Sequence, residues 1–158
     1  MNNAVNPHNA LLSFQKNLIT ISNELKKCTT CSNTYLFIDG SSSQIRFNYM
    51  LLENNIVKSL VSMTNSGWYK GLPCLQISYS TAENYRGQGI ATNFVGKVIN
   101  EIKHGFKNSM PQFYIEAVID RSNLASISVA KKTLAVPYSE FIDTSTQKPM
   151  VRFILLIK

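Results

Sequence analysis

Asn84-Tyr85-Arg86-Gly87-Gln88-Gly89-Ile90-Ala91 sets two of the chain's seven glycines around a single glutamine. Beyond them Ile90, Phe94, Val98 and Ile102 recur at a strict four-residue step, with Val95 and Ile99 alongside, which predicts a helix of about four turns. Residues 75–80 just upstream read as a strand. A strand, a glycine-rich turn and a helix start form an anion-binding arrangement: glycine lets backbone N–H groups approach the charge, and the helix N-terminus adds partial positive charge. The expected anion is a pyrophosphate. A G-x-G before a helix also serves tight packing, and on these residues alone the two readings stand level. Two better-known loops are excluded. No Lys-Ser/Thr follows Gly89, and the third glycine and downstream acidic residue of a dinucleotide fingerprint are missing.

The chain has 158 residues, 44% of them apolar, enough for one domain with its own core. Sixteen basic against nine acidic residues leave a net charge of +7, which favours an anionic partner. The charges are scattered, with Lys131-Lys132 the notable basic pair late in the chain. No basic run interleaved with aromatics appears, so a solvated basic surface is preferred over a nucleic-acid groove. No window of eighteen apolar residues exists and MNNAVNPHNA lacks the features of a signal peptide, so no membrane partner and a cytoplasmic location are expected. Cys28-Thr29-Thr30-Cys31 has the spacing of half a zinc site or a redox pair. No second pair exists and neither His8 nor His104 stands at ligand spacing, so no metal is expected and the cysteines read as incidental helix-end residues.

Leu11, Phe14, Leu18, Ile21 and Leu25, with Leu12 and Ile19 widening the stripe, predict one amphipathic helix over residues 9–27. Residues 35–39 form a short strand ended by Gly40 and three serines. Residues 45–53 and 56–63 are β-rich runs joined by Asn54-Asn55, the best hairpin in the chain, since asparagine tolerates positive φ. Residues 65–73, with Ser, Gly and Pro, read as a loop exposing Trp68 and Tyr69. Residues 113–119 form a strand, 122–132 a short helix, and 138–143 and 151–157 two final strands. The expectation is a single α/β (α+β) domain over residues 1–158, with an unusual helical segment over about 1–44. The apolar end MVRFILLIK leaves either a monomer or an edge-to-edge homodimer open.

Arg86-Gly87-Gln88-Gly89-Ile90-Ala91 resembles the Q/R-x-x-G-x-G/A signature of the GNAT superfamily of acetyl-CoA-dependent N-acetyltransferases. Some thirty residues on, Asn123, Ser126, Val129, Ala130 and Lys132 are similar to the N-x-x-S-x-x-V-A-x-K segment of its branch of ribosomal-protein N-terminal acetyltransferases. The resemblance covers roughly residues 45–158. It implies a GNAT fold, a mixed, mostly antiparallel central sheet splayed at the cofactor site and flanked by helices. It further implies that the pantetheine arm of acetyl-CoA pairs with free backbone at Ser78, Tyr79, Ser80 and Thr81. The amides of Arg86, Gly87, Gln88, Gly89, Ile90 and Ala91, with Thr92, would hold the pyrophosphate, and Asn123 would hydrogen-bond the pantetheine.

The implied activity is acetyl transfer to a primary amine (a protein N-terminus, a lysine or a small molecule) by direct attack in a ternary complex. Such chemistry needs a base for the amine and an acid for the thiolate. The tyrosine that serves as acid in much of the superfamily falls here at Ala130, and its common strand glutamate at Gln76, which cannot take a proton. Glu116 is then the candidate base, with a structural salt bridge as its alternative reading. Ser126 and Tyr79 are weaker candidates for positioning or proton donation. His104 is expected at the far end of the long helix and His8 in an N-terminal tail. Two further departures are Leu134-Ala135, where the family carries Gly-Phe, and a leading helix where the family begins with a strand and two helices. These departures motivate an alternative, a non-catalytic acetyl-CoA-binding module; the charge alone suggests an enzyme acting on charged tRNA.

Overall fold

The computed structural model describes residues 6–135 and 137–158. Asn54 and Asn55 take φ of 51° and 61° and turn β3 (Gln44–Glu53) into β4 (Ile56–Tyr69), the predicted hairpin. Around it lies one eight-stranded sheet. Its order is β1 (Lys26–Lys27), β2 (Thr34–Ser41), β3, β4, β5 (Leu72–Thr81), β6 (Phe113–Asp120), β8 (Pro149–Ile157) and β7 (Tyr138–Ile142). Every pairing is antiparallel except β5 with β6. That exception is enforced by α3 (Ile90–Phe106), because a helical crossover returns the chain in its original direction.

The stretch expected to be a loop, residues 65–73, is mostly strand. β4 continues to Tyr69, and the chain reverses at Lys70 and Gly71, both left-handed at φ 47° and 81°, before β5 begins at Leu72. Serine and glycine serve here as a bulge. Asn65 pairs with Leu75 and Trp68 with Pro73, so Ser66 and Gly67 together stand opposite Cys74. Gly67 takes φ 88°, and its N–H donates to the Asn65 side chain at 2.9 Å. Trp68 is 75% exposed, as the sequence predicts. The strand expected to end before Gly40 is also longer, for β2 runs through Gly40 to Ser41.

Both faces of the sheet are covered. Phe94, Val95, Val98, Ile99 and Ile102 of α3 pack on Val61, Met63, Leu75, Ile77, Ile115 and Phe153. α4 (Leu124–Thr133) joins them through the buried Ala130. On the opposite face the expected single helix is broken. α1 (Pro7–Lys16) starts on the Asn6 cap with Pro7 in its first turn, and stops where Asn17 donates through both backbone N–H and side chain to the Ser13 carbonyl. α2 (Leu18–Ile21) and one 3-10 turn follow. Leu11 and Leu18 reach Met50, Val57 and Leu60, whereas Ile19, expected to widen the apolar stripe, is 91% exposed.

One more expectation changes. Cys28 and Cys31 lie between β1 and β2 rather than at a helix end, because the helix stops earlier; both are free thiols. β8 is an edge in part. β6 pairs with it from Met150 to Ile157, but β7 covers it only from Pro149 to Phe153. Among the described residues Ile154 to Ile157 therefore keep an open strand side, and the monomer and the edge-to-edge dimer both stay open.

Candidate functional site

The parallel pair β5–β6 is joined at only three positions, Cys74 with Tyr114, Leu75 with Ile115 and Gln76 with Glu116. Past these the strands part. Ile77 to Thr81 continue on β4 alone, and Ala117 to Asp120 on β8 alone, so each strand turns a length of backbone toward the gap. A fork of this kind can take an extended, amide-bearing chain as though it were a strand. Its two arms lead to the glycine turn and to the start of α4.

Beyond Thr81 a 3-10 turn (Glu83–Tyr85) delivers the chain to Gly87 and Gly89, at φ 75° and 76°, and Gly89 is the N-cap of α3. A Cβ on either glycine would meet open space, so the left-handed backbone rather than crowding requires them. As N-cap, Gly89 carries no side chain to satisfy the first-turn amides, and the first turn holds no acidic residue. These N–H groups are suited to an external anion. The Arg86 guanidinium turns back, with Nε donating to the Thr81 carbonyl at 3.1 Å and Nη2 3.1 Å from Nδ1 of His8. His8 is therefore in the first turn of α1 beside the glycine turn, not in a remote tail. His104 does lie in the last turn of α3.

Across the fork, Tyr79 Oη donates to the Ser126 carbonyl at 2.6 Å and so ties β5 to α4. Burial pushes the phenol above its ordinary value, which keeps it a hydrogen-bond donor. Asn123 caps α4: its side-chain oxygen accepts from the Ser126 N–H at 3.1 Å. Ser126 is thus held at both backbone groups. Ser78 and Ser80 face the side opposite the Ile77 and Tyr79 core contacts, and Thr92 sits in the first turn of α3.

That opposite face is polar. Asp39, Arg46, Thr64, Gln76 and Glu116 lie in register across β2 to β6, and Asn48, Ser62 and Ser78 form the next row. α1 and α2 stand over it, and between helices and sheet runs a groove of about 1090 Å³ whose lining includes Phe14, Arg46, Ser62, Ser66, Gln76 and Ser78. Arg46 binds both oxygens of Asp39 at 2.8 and 2.7 Å, and Asn48 bridges Asp39 to the Ser62 hydroxyl. Burial works against the Asp39 charge, but the bonds from Arg46 and Asn48 outweigh it and hold the carboxyl below its ordinary value.

Glu116 is only 7% exposed. Oε1 accepts from the Ser66 hydroxyl and Oε2 from Arg152 Nε at 2.8 Å. Arg152 also lies 4.9 Å over the ring of Tyr69, which meets Tyr114 edge-on. Nearby Cys74 is pushed up to about 11, by burial first and the Glu116 charge second. The expected ion pair and the expected proximity to the fork are therefore both present at Glu116, alongside Gln76. Sequence reasoning missed Arg46, Asn48, Ser62, Ser66 and Arg152. A signal existed, since Arg46/Asn48, Ser62/Thr64 and Gln76/Ser78 alternate with Phe47, Met63 and Ile77 at the period of a strand.

The acetyltransferase (GNAT) domain family matches residues 22–133. No curated protein matches. Solved structures with the same fold include a GNAT-family acetyltransferase of Streptococcus pneumoniae (12% identity, 75% of this chain and 70% of that chain, TM-score 0.52). A Bacillus anthracis GNAT-family acetyltransferase is similar at 19% identity, covering 70% of this chain and 65% of that one, with a TM-score of 0.53. A ribosomal-protein-alanine N-acetyltransferase of Brucella melitensis is similar at 16% identity over 71% and 69% of the two chains, TM-score 0.53.

Proposed function

The chain belongs to the GNAT acetyltransferase family, an acetyl-CoA-dependent class of enzymes, and from that premise we propose that it acetylates a primary amine bound in the groove under α1 and α2. One observation carries this reading. The fork between β5 and β6 opens at Gln76 and Glu116, and Gln76 and Ser78 also line the groove, so a cofactor arm in the fork presents its thioester to an acceptor in the groove. In this reading Ser78, Tyr79, Ser80 and Thr81 pair with the pantetheine. The turn from Arg86 to Ala91, with Thr92, receives the pyrophosphate, and Asn123 and Ser126 border the arm from α4. The amine nitrogen attacks the thioester carbonyl carbon directly, the C–S bond breaks, and the departing thiolate takes a proton.

The groove's own chemistry narrows the acceptor. Among its described lining residues the charged groups are Asp39 and Arg46, which neutralise each other, so it favours an acceptor with hydroxyl or amide groups over a polycation. The motif at Asn123 to Lys132 puts peptide N-termini first among such acceptors. A screen of peptides, lysine derivatives, small amines and spermidine, following thiol release from acetyl-CoA beside a direct binding titration, tests this. Turnover on a neutral peptide or small amine above that on spermidine is expected. Preference for spermidine would overturn the acceptor assignment, and tight acetyl-CoA binding with no turnover on any acceptor would overturn the amine-transfer reading.

A further inference from the structure

Between the groove and the buried Glu116 stands one hydroxyl. Ser66 is exposed and lines the groove, yet its Oγ–H donates to Glu116 Oε1 behind it. We propose that Ser66 is the groove-facing end of a two-member proton relay, in which its oxygen takes a proton from the acceptor's ammonium while its own hydroxyl proton passes to Glu116. The inference rests on the proposed amine acetylation and names the route by which the amine is made neutral.

The local construction fits such a role. Ser66 reaches Glu116 because the bulge sets two residues of β4 against one of β5, which re-aims the side chain across the intervening strand. The left-handed Gly67 and its bond to the Asn65 side chain hold that bulge. From the other side Arg152 fixes Oε2, so the carboxylate keeps one oxygen turned toward Ser66. The charged and titratable groups packed about it are Arg152 from β8, Cys74 from β5, Tyr69 from β4 and Tyr114 from β6. Arg152 is the cation among them, and its Nε–H bond to Oε2 gives the buried side chain a fixed partner on the side away from Ser66.

The balance closes. R-NH₃⁺ gives one proton through Ser66 to Glu116 and becomes R-NH₂. Attack on the thioester then forms the N–C bond and breaks C–S, and the second nitrogen proton neutralises the thiolate. The products are the amide, free CoA thiol and protonated Glu116, which returns its proton to solvent through Ser66.

Methylamine and hydroxylamine test the relay as paired acceptors, since both are small but only methylamine arrives protonated at neutral pH. With methylamine, Ser66→Ala and Glu116→Gln should each lower kcat/KM by ~10²–10⁴-fold, while hydroxylamine turnover stays within about tenfold. Ser66→Thr, which keeps the hydroxyl, should recover most of the methylamine rate. Both relay variants should also lose the acid limb of the wild-type pH profile, a readout that mere structural damage would not move selectively. If Glu116→Gln, folded and binding acetyl-CoA, works within about threefold of wild type, the carboxylate takes no proton and the base reading fails. If Glu116→Gln loses activity but Ser66→Ala does not, the relay fails and Glu116 acts without Ser66. Equal losses on both amines would likewise overturn the relay.

Discussion

Gly89 sits at φ 76°, where any L side chain is strained, and directly at the N-cap of a 17-residue helix. Gly89→Glu should therefore lower acetyl-CoA affinity by at least tenfold while the chain stays folded, because it sets a like charge where the pyrophosphate would lie. Gly89→Ala separates the effects: it carries the same ~1–2 kcal/mol backbone strain without the charge. Equal affinity in wild type and Gly89→Glu, measured by calorimetry, would remove the glycine turn from the cofactor site. At Asp39 a pH dependence follows from the direction of its shift. Its folded-state ionisation lies below the unfolded value, so its contribution is complete above the ordinary carboxylate range and is lost as pH falls through the folded value. Asp39→Asn should cost about 1 kcal/mol at neutral pH, between an exposed and a buried ion pair, and the gap should close on acidification. Urea unfolding at several pH values reads this; a gap independent of pH would show that Asp39 contributes by packing alone.

Elements show where local signals carry and where they are overridden. α4 ends with Leu134 at its C-cap, and the next residue, Ala135, is left-handed at φ 43°, with its N–H bonding back to Ala130. At Leu134-Ala135, where the sequence suggests a turn different from the family's Gly-Phe, the helix end is of the left-handed kind, built with alanine where glycine is usual. Ala135→Gly should then stabilise the protein by about 0.5–1 kcal/mol, the relief of strain exceeding the extra chain entropy of glycine. The check is a higher denaturation midpoint at unchanged m-value; an unchanged or lower midpoint would contradict it. The bulge in β4 is the opposite case. Its Ser-Gly composition suggests a loop, but β5 pairs before and after it, at Asn65 with Leu75 and Trp68 with Pro73, and holds it in the sheet beyond the point where β3 ends its pairing at Thr64.

On the scale of the molecule, the two parts of the sheet meet at three residue pairs and are braced near that junction by Ser66, Glu116, Arg152, Tyr69 and Tyr114. A ligand that fills the open end of the fork adds contacts to both parts at once. Acetyl-CoA at a hundredfold excess over its Kd should stabilise the native chain by ~2.7 kcal/mol, about 5–10 °C in Tm for a chain of this size. The shift should shrink in Gly89→Glu at the same concentration. A flat melting curve at millimolar acetyl-CoA would argue against the cofactor site as a whole. Among the described residues no helix is long and apolar enough to cross a membrane.

Sequence alone determined the features whose causes lie within a few residues of each other. The Asn54-Asn55 turn, the four-residue period of α3 and the glycines before it each express a local backbone preference, and the paired motifs at Arg86 to Ala91 and Asn123 to Lys132 indicated the family. Tertiary structure decided the rest. Glu116 meets Ser66 and Arg152 across 50 and 36 residues of chain, and no periodicity encodes such a meeting. Strand alternation marked one face of β3, β4 and β5 as polar, but only packing shows that α1 and α2 cover it as a groove. The first half of the apolar β8 became interior because β7 pairs with it from Pro149 to Phe153, a choice made by chain topology and invisible to local pattern.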